Sequence, residues 1–202
     1  MMEVGSLMVN CYIVGEEETG EAAVFDPGGN VDQILNVLSD LNLKVKYIIN
    51  THNHFDHIGG NQELQDAAGV PILTHKDEAS EGQSGDSVNY RYVAEGDVLE
   101  MGSIGFEIID LRGHSPAGLG FVFEGEVESE EKRKRMKMVI CGDGLFAGSI
   151  GRTDFPGGNT DLLLENIRTK IFTLPDETLV LSGHGPVTTV GQEKRHNPFF
   201  PH

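Results

Sequence analysis

The decapeptide THNHFDHIGG, residues 51–60, sets His52, His54, Asp56 and His57 within six positions. Imidazole nitrogens and carboxylate oxygens at this density suit zinc, iron or manganese, and residues two apart on an extended loop can face one centre. One loop cannot close a site. Three further stretches add donors: RGHSPAG with His114, VICGDGLF with Asp143 and LSGHGPV with His184. Seven donors suffice for two ions with room for water.

Elements must bring these stretches together. Each follows an apolar run of strand type: VKYIIN before His52, IGFEIIDL before His114, MKMVIC before Asp143 and ETLVL before His184. Strands ending on one edge of a sandwich would gather the loops, and Gly113, Gly142, Gly183 and Gly185 permit the tight turns there. Upstream, LMVNCYIV and EAAVF around the acidic turn GEEETGE suggest antiparallel strands. Val31, Ile34, Leu35, Leu38 and Leu41 recur at helical spacing, and GGNQELQDAAG reads as a helix ending at Gly69. PILTH, DVLEM and LGFVFEG are further strand-like runs, and ETLVLS is the last. TDLLLENIRTKIFTL predicts a final helix with Leu162, Leu163, Ile167 and Ile171 on one face. The polar stretch 78–92 reads as a long loop over the site, and EGEVESEEKRKRMK as a solvated hairpin.

The β-runs exceed what one small sheet needs, so two packed sheets with helices outside are expected, an α/β sandwich. At 202 residues without a dividing linker, residues 1–202 read as a single domain. A net charge of −17 would repel phosphate backbones and anionic lipid heads, which argues against nucleic acid and membrane partners. The N-terminus lacks a basic n-region, and nowhere do ~18 apolar residues run together. A cytoplasmic protein is expected, with Cys11 and Cys141 as buried free thiols.

In order, VFDPGG, THNHFDHIGG, GHSPAG, CGD, LFAGSIGRTDFPGG and SGHGP resemble the metallo-β-lactamase fold superfamily and, within it, hydrolases of the type II glyoxalase (hydroxyacylglutathione hydrolase) kind. The resemblance runs nearly end to end and implies a four-layer αββα sandwich. It implies that His52, His54 and His114 bind one metal and Asp56, His57 and His184 the second, with Asp143 bridging. Asp56 and Asp143 are then the catalytic carboxylates, and the ions are zinc, with iron or manganese as alternatives. Asp26 either caps its Pro-Gly-Gly turn or, as in the family, orients the histidine loop. His75, His196 and His202 lie outside the motifs.

Two divalent ions ~3.5–4 Å apart can share a water and lower its pKa from ~15.7 toward ~7, so hydroxide held by the metals would attack an acyl carbonyl. No side-chain nucleophile is needed, and Cys141 is read as a packed thiol. A thioester suits such a site because thiolate leaves without a strong general acid. The longer type II glyoxalases add a C-terminal helical domain, and they place a lysine, then a tyrosine two residues on, against glutathione. Here GRTDF offers Arg152 and Asp154, so Arg152 is the candidate for holding the acyl carrier of a small thioester. GRTDF also resembles persulfide dioxygenases, which use one iron. His52, His114 and Asp143 form the two-histidine, one-carboxylate set of such oxygenases. Against this, Ile150 and Pro156 stand where those enzymes usually have cysteine and glutamine. A non-catalytic metal-binding protein is the remaining class.

Overall fold

The computed structural model describes residues 1–78, 88–128 and 133–201. Its first sheet opens with β1 (Met2–Val4), β2 (Val9–Glu16) and β3 (Glu21–Phe25), an antiparallel run as the apolar stretches and acidic turn imply. Helix α1 (Val31–Asp40) crosses to β4 (Lys44–Ile49), parallel to β3. Helices α2 (Phe55–Ile58) and α3 (Asn61–Ala68) then cross to β5 (Ile72–Thr74), parallel to β4. Gly69 ends α3 in the left-handed conformation, φ +70°, where only a residue without Cβ sits at no steric cost. The expectation of a loop throughout 78–92 fails at its end. Tyr90–Tyr92 is a strand, β6, because these aromatic residues find a parallel partner in β5. Residues 79–87 of that stretch lie outside the described residues.

The second sheet is a meander of β7 (Val98–Met101), β8 (Ile104–Asp110), β9 (Leu119–Glu128) and β10 (Arg133–Gly142), continued by β13 (Leu179–Ser182) and β14 (Thr188–Thr189). A ribbon of β11 (Leu145–Phe146) and β12 (Ser149–Ile150) sits between. The charged hairpin is a regular ladder up to Arg133 opposite Glu128, with Arg135 3.2 Å from Glu124. Residues 129–132 at its tip lie outside the described residues. Since β9 is antiparallel to both β8 and β10, and β13 is parallel to β10, strands β8, β10 and β13 share one direction. Their C-terminal ends therefore meet one edge. There the sheets are tied to each other: Asn10 N–H donates to the Gly183 carbonyl at 2.8 Å, and Leu119 N–H to that of Thr51 at 2.8 Å.

Three apolar layers separate four structural layers. Because strand side chains alternate, Ala23, Phe25, Ile49 and Leu73 of the first sheet face Phe106, Phe121, Met138 and Ile140 of the second. Their neighbours Ala22, Val24, Ile48 and Ile72 face outward onto Ile34, Leu38 and Leu64 of the helices. On the far side Val139, Cys141 and Val180 pack on Leu163, Ile167, Ile171 and Val190. Central strands are thus apolar on both faces, as sheets covered on both sides require. This is the expected αββα sandwich.

Two details depart from the expectations. Helix α4 (Thr160–Asn166), capped by the Asn159 side chain accepting from Leu162 N–H at 3.0 Å, runs into a π turn at Ile167–Ile171. Leu163, Ile167 and Ile171 are fully buried, but Leu162 is 37% exposed and leaves the apolar face. Helix α5 (Val190–His196) was not anticipated; Thr189 caps it by accepting from Gln192 N–H. Among the described residues no helix is long and apolar enough to cross a membrane.

Candidate metal centre

The loop after β4 changes conformation midway. His54 is extended, with φ −60° and ψ 142°, whereas the chain bends at His52, and Asp56 and His57 stand on the single helical turn α2. The imidazoles converge. His52 Nε2 lies 3.1 Å and His114 Nε2 2.9 Å from His54 Nδ1, spacings suited to three nitrogens aimed at a common point. Asp56 Oδ2 lies 3.2 Å from His184 Nε2 and 3.8 Å from His57 Nε2, which forms a second cluster. Each of these triads, His52–His54–His114 and Asp56–His57–His184, has the compactness to hold an ion. Asp143 spans them: Oδ1 is 3.4 Å from His57 Nε2, and Oδ2 is 3.6 Å from His114 Nε2 and 3.8 Å from His184 Nε2. His184, 30% exposed in its side chain, and Asp56, at 13%, mark the open side of the centre.

Asp26, His52 and His57 form a third compact group, but the Asp26 oxygens are already committed. Oδ1 accepts Thr51 N–H at 2.8 Å, while Oδ2 accepts the Thr51 hydroxyl at 2.7 Å and lies 3.0 Å from His57 Nδ1. Between the two readings of Asp26, the structure places it on the histidine loop, although its carbonyl also takes Gly28 N–H of the turn.

This network distributes the protons. His57 donates from Nδ1 to Asp26, which leaves Nε2 to face Asp143 and the second cluster. Thr51 spends its hydroxyl proton on Asp26 and so accepts from His52 Nδ1, 3.1 Å away, which frees His52 Nε2. His114 donates Nδ1–H to the Arg152 carbonyl at 2.7 Å, again leaving Nε2 as the electron-pair donor. Partners of this kind fix tautomer and ring orientation in metal sites. The electrostatics suit electron-pair donation at His52 and His54 and favour the protonated form of His57, whose Nε2 proton an ion would have to displace. Burial, then the neighbouring histidines, pushes His52 well below its ordinary pKa, and burial lowers His54. Burial also opposes protonation of His57, but Asp26 and Asp143 outweigh it and raise its pKa to about 10. Burial disfavours the charged form of Asp143, yet His57, His114 and His184 hold its pKa below the usual carboxylate range.

A cation fits this arrangement. His57 Nε2 and Asp143 Oδ1 are buried without a hydrogen-bond partner among the described residues, an expensive state that a shared ion would relieve. At Gly183 a Cβ would run into Asp143 Oδ1 and come within 2.7 Å of His57 Cε1, so a side chain there would displace the donors. Cys141 is buried with its pKa pushed to about 12, chiefly by burial, and its thiol is directed at the Leu145 carbonyl at 3.3 Å; it is a packed thiol. Cys11 is free and buried too.

Arg152 is less available than its charge suggests. Asp154 takes Nε at 2.8 Å and Nη2 at 2.7 Å, and the guanidinium lies 3.7 Å from the centroid of Phe155, whose ring edges against His54. His75 pairs with Asp77, outside both triads, and His202 lies outside the described residues. Sequence reasoning passed over Thr51 and Asn10. Asn10 Nδ2 donates to the carbonyls of Ser182 at 3.0 Å and Gly185 at 2.9 Å, clamping the turn that presents His184. A polar residue inside the apolar run LMVNCYIV was the available signal.

These donors on an αββα sandwich define a class, and the chain belongs to the metallo-beta-lactamase superfamily, whose sequence model matches residues 4–184. Among curated proteins it is 35% identical to hydroxyacylglutathione hydrolase GloC of Haemophilus influenzae, over 99% of this chain and 96% of the relative. Among solved structures it resembles BLEG-1 B3 metallo-beta-lactamase, with TM-score 0.82, 32% identity and coverage of 100% and 98% of the two chains. It also resembles TTHA1623 in a di-iron-bound form, with TM-score 0.78, 30% identity and 98% of each chain covered. ETHE1 from Myxococcus xanthus gives 0.76 at 32% identity, over 93% of this chain and 77% of that one.

Proposed function

We propose that residues 1–202 form one hydrolase domain with two divalent metal ions, zinc in the first instance, acting on a small acyl thioester. The observation that carries this reading is Asp143, whose two oxygens face different donor triads, 3.4 Å from His57 Nε2 and 3.6 Å from His114 Nε2. His52, His54 and His114 would hold one ion, Asp56, His57 and His184 the other, and Asp143 both. Bound there, the ions supply an activated water and polarise the acyl carbonyl. The chain's own part is to orient these donors: Asp26, Thr51 and the Arg152 carbonyl each hold the outer nitrogen of a histidine and turn the other toward the centre. A thiolate leaving group needs no strong proton donor, so the assigned residues need supply none. The likeness to GloC supports a thioester.

Asp154 occupies Nε and Nη2 of Arg152, so a substrate carboxylate would meet Nη1. Arg152→Ala is expected to raise KM for an anionic thioester severalfold with kcat unchanged; a lower melting temperature with unaltered kinetics would make the residue structural. A second reading, a one-iron dioxygenase acting on a persulfide, draws on His52, His114 and Asp143 lying in one cluster. Atmosphere separates them. Zinc-loaded protein should cleave a thioester such as a glutathione thioester without oxygen, at a rate unchanged by air, and His57→Ala or His184→Ala should abolish most of it. Oxygen uptake with glutathione persulfide, no thioester cleavage and tolerance of both substitutions would establish the dioxygenase instead.

A further inference from the structure

We propose that Glu78 is a positioning residue for the first metal, setting the distance between the loop of His52 and His54 and the loop of His114. The inference rests on the assignment of those three histidines to a metal. Glu78 lies in the turn after β5, in none of the motifs, and is fully buried. Its two carboxylate oxygens go to different loops. Oε2 accepts the N–H of Asn53, the residue between His52 and His54, at 3.1 Å. Oε1 accepts the N–H of Ala117, three residues after His114, at 2.7 Å. The Glu78 carbonyl also takes the Asn53 side-chain amide, and Glu78 N–H donates to the His75 carbonyl at 3.0 Å.

The Ala117 N–H is buried in a loop that has left its strand, where an unpaired N–H is costly, and the Asn53 N–H is part-buried in the facing loop. One carboxylate serves both: the Ala117 bond, at 2.7 Å, has the short length of a charge-assisted bond, and the Asn53 bond, at 3.1 Å, is longer. The His52–His54–His114 triad draws its third member from 60 residues away. Glu78 is therefore a brace across the gap that this triad must close. An amide at this position could serve only one of the two donors. Its NH2 would confront the other N–H, and the loops would separate.

The test is stepwise metal affinity, measured by competition between metal-free protein and a chromophoric zinc chelator. Glu78→Gln should weaken one of the two zinc equivalents about 10- to 100-fold, the range for residues that orient metal ligands, and leave the other within about twofold. In the metal-free protein, hydrogen exchange at the Asn53 and Ala117 amides should quicken at least tenfold. Glu78→Asp, whose shorter side chain reaches one N–H, should weaken the same equivalent less, and it decides the matter if the glutamine variant does not fold. Wild-type affinities in a folded variant, or equal weakening of both equivalents with a lower melting temperature, would overturn the proposal. Wild-type protein that takes up no zinc would instead remove the metal assignment beneath it.

Discussion

Replacing Asp26 by asparagine tests the proton arrangement directly. Asp26 has φ +49°, in the left-handed region that asparagine tolerates best among residues with a side chain, so the exchange should add little backbone strain. The new amide can keep Oδ1 on Thr51 N–H. Its NH2, however, replaces the oxygen that accepts from both the Thr51 hydroxyl and His57 Nδ1. Two bonds to a buried carboxylate give way to weaker ones from a neutral amide, so the loss of stability falls below the roughly 3–6 kcal/mol that two such charged bonds supply. His57 would then accept at Nδ1 and carry its proton on Nε2, where the second ion needs an electron pair. Misplacing such a partner weakens metal binding about 10- to 100-fold, or ~1.4–2.8 kcal/mol. Chelator competition on metal-free protein should show the larger loss at the Asp56–His57–His184 site, and nitrogen-15 spectra of the histidine rings should report the altered tautomer. An Asp26→Asn protein that binds two ions with wild-type affinity and turns over normally would refute this chain of reasoning.

Two further outcomes are expected. Gly183→Ala should reduce bound metal from two ions per chain to one or fewer, read by elemental analysis, because its methyl group overlaps Asp143 and His57; full occupancy would contradict the geometry. The raised pKa of His57 makes metal-free protein respond to pH. Its protonated form is favoured in the fold, so that stability is fully present below about 6.5 and is lost as pH rises through about 10. Denaturant melts of metal-free protein across this window should show the decline, and His57→Gln should flatten it.

The donor set was readable in the sequence because its chemistry is concentrated: four donors in six residues, then single histidines or an aspartate at strand ends between glycines. The two sheets were readable for a related reason, since strands covered on both faces, such as Met138–Cys141, are continuous apolar runs. What escaped notice depends on partners distant in sequence. Tyr90–Tyr92 becomes a strand only because β5 lies beside it. Helix α5 contains Gly191, a poor helix former, and is held by Glu193, which is buried and accepts from Thr188, Gly148 and Asn197. Leu162 fits the helical period but turns to solvent, and Glu78 carries no local sign that its carboxylate joins two remote loops.

The position of the donors across the sandwich has a kinetic consequence. His52, His54, Asp56 and His57 belong to the first sheet's loop, whereas His114, Asp143 and His184 follow β8, β10 and β13 of the second. In each triad at least one donor comes from either sheet, so an ion bound there would be a clasp between the two halves. Separating the halves then requires breaking coordination bonds before the apolar interior can open. Metal loading should lengthen the half-life of the native state by close to the full factor by which it raises equilibrium stability, because the coordination bonds are already broken in the transition state for opening.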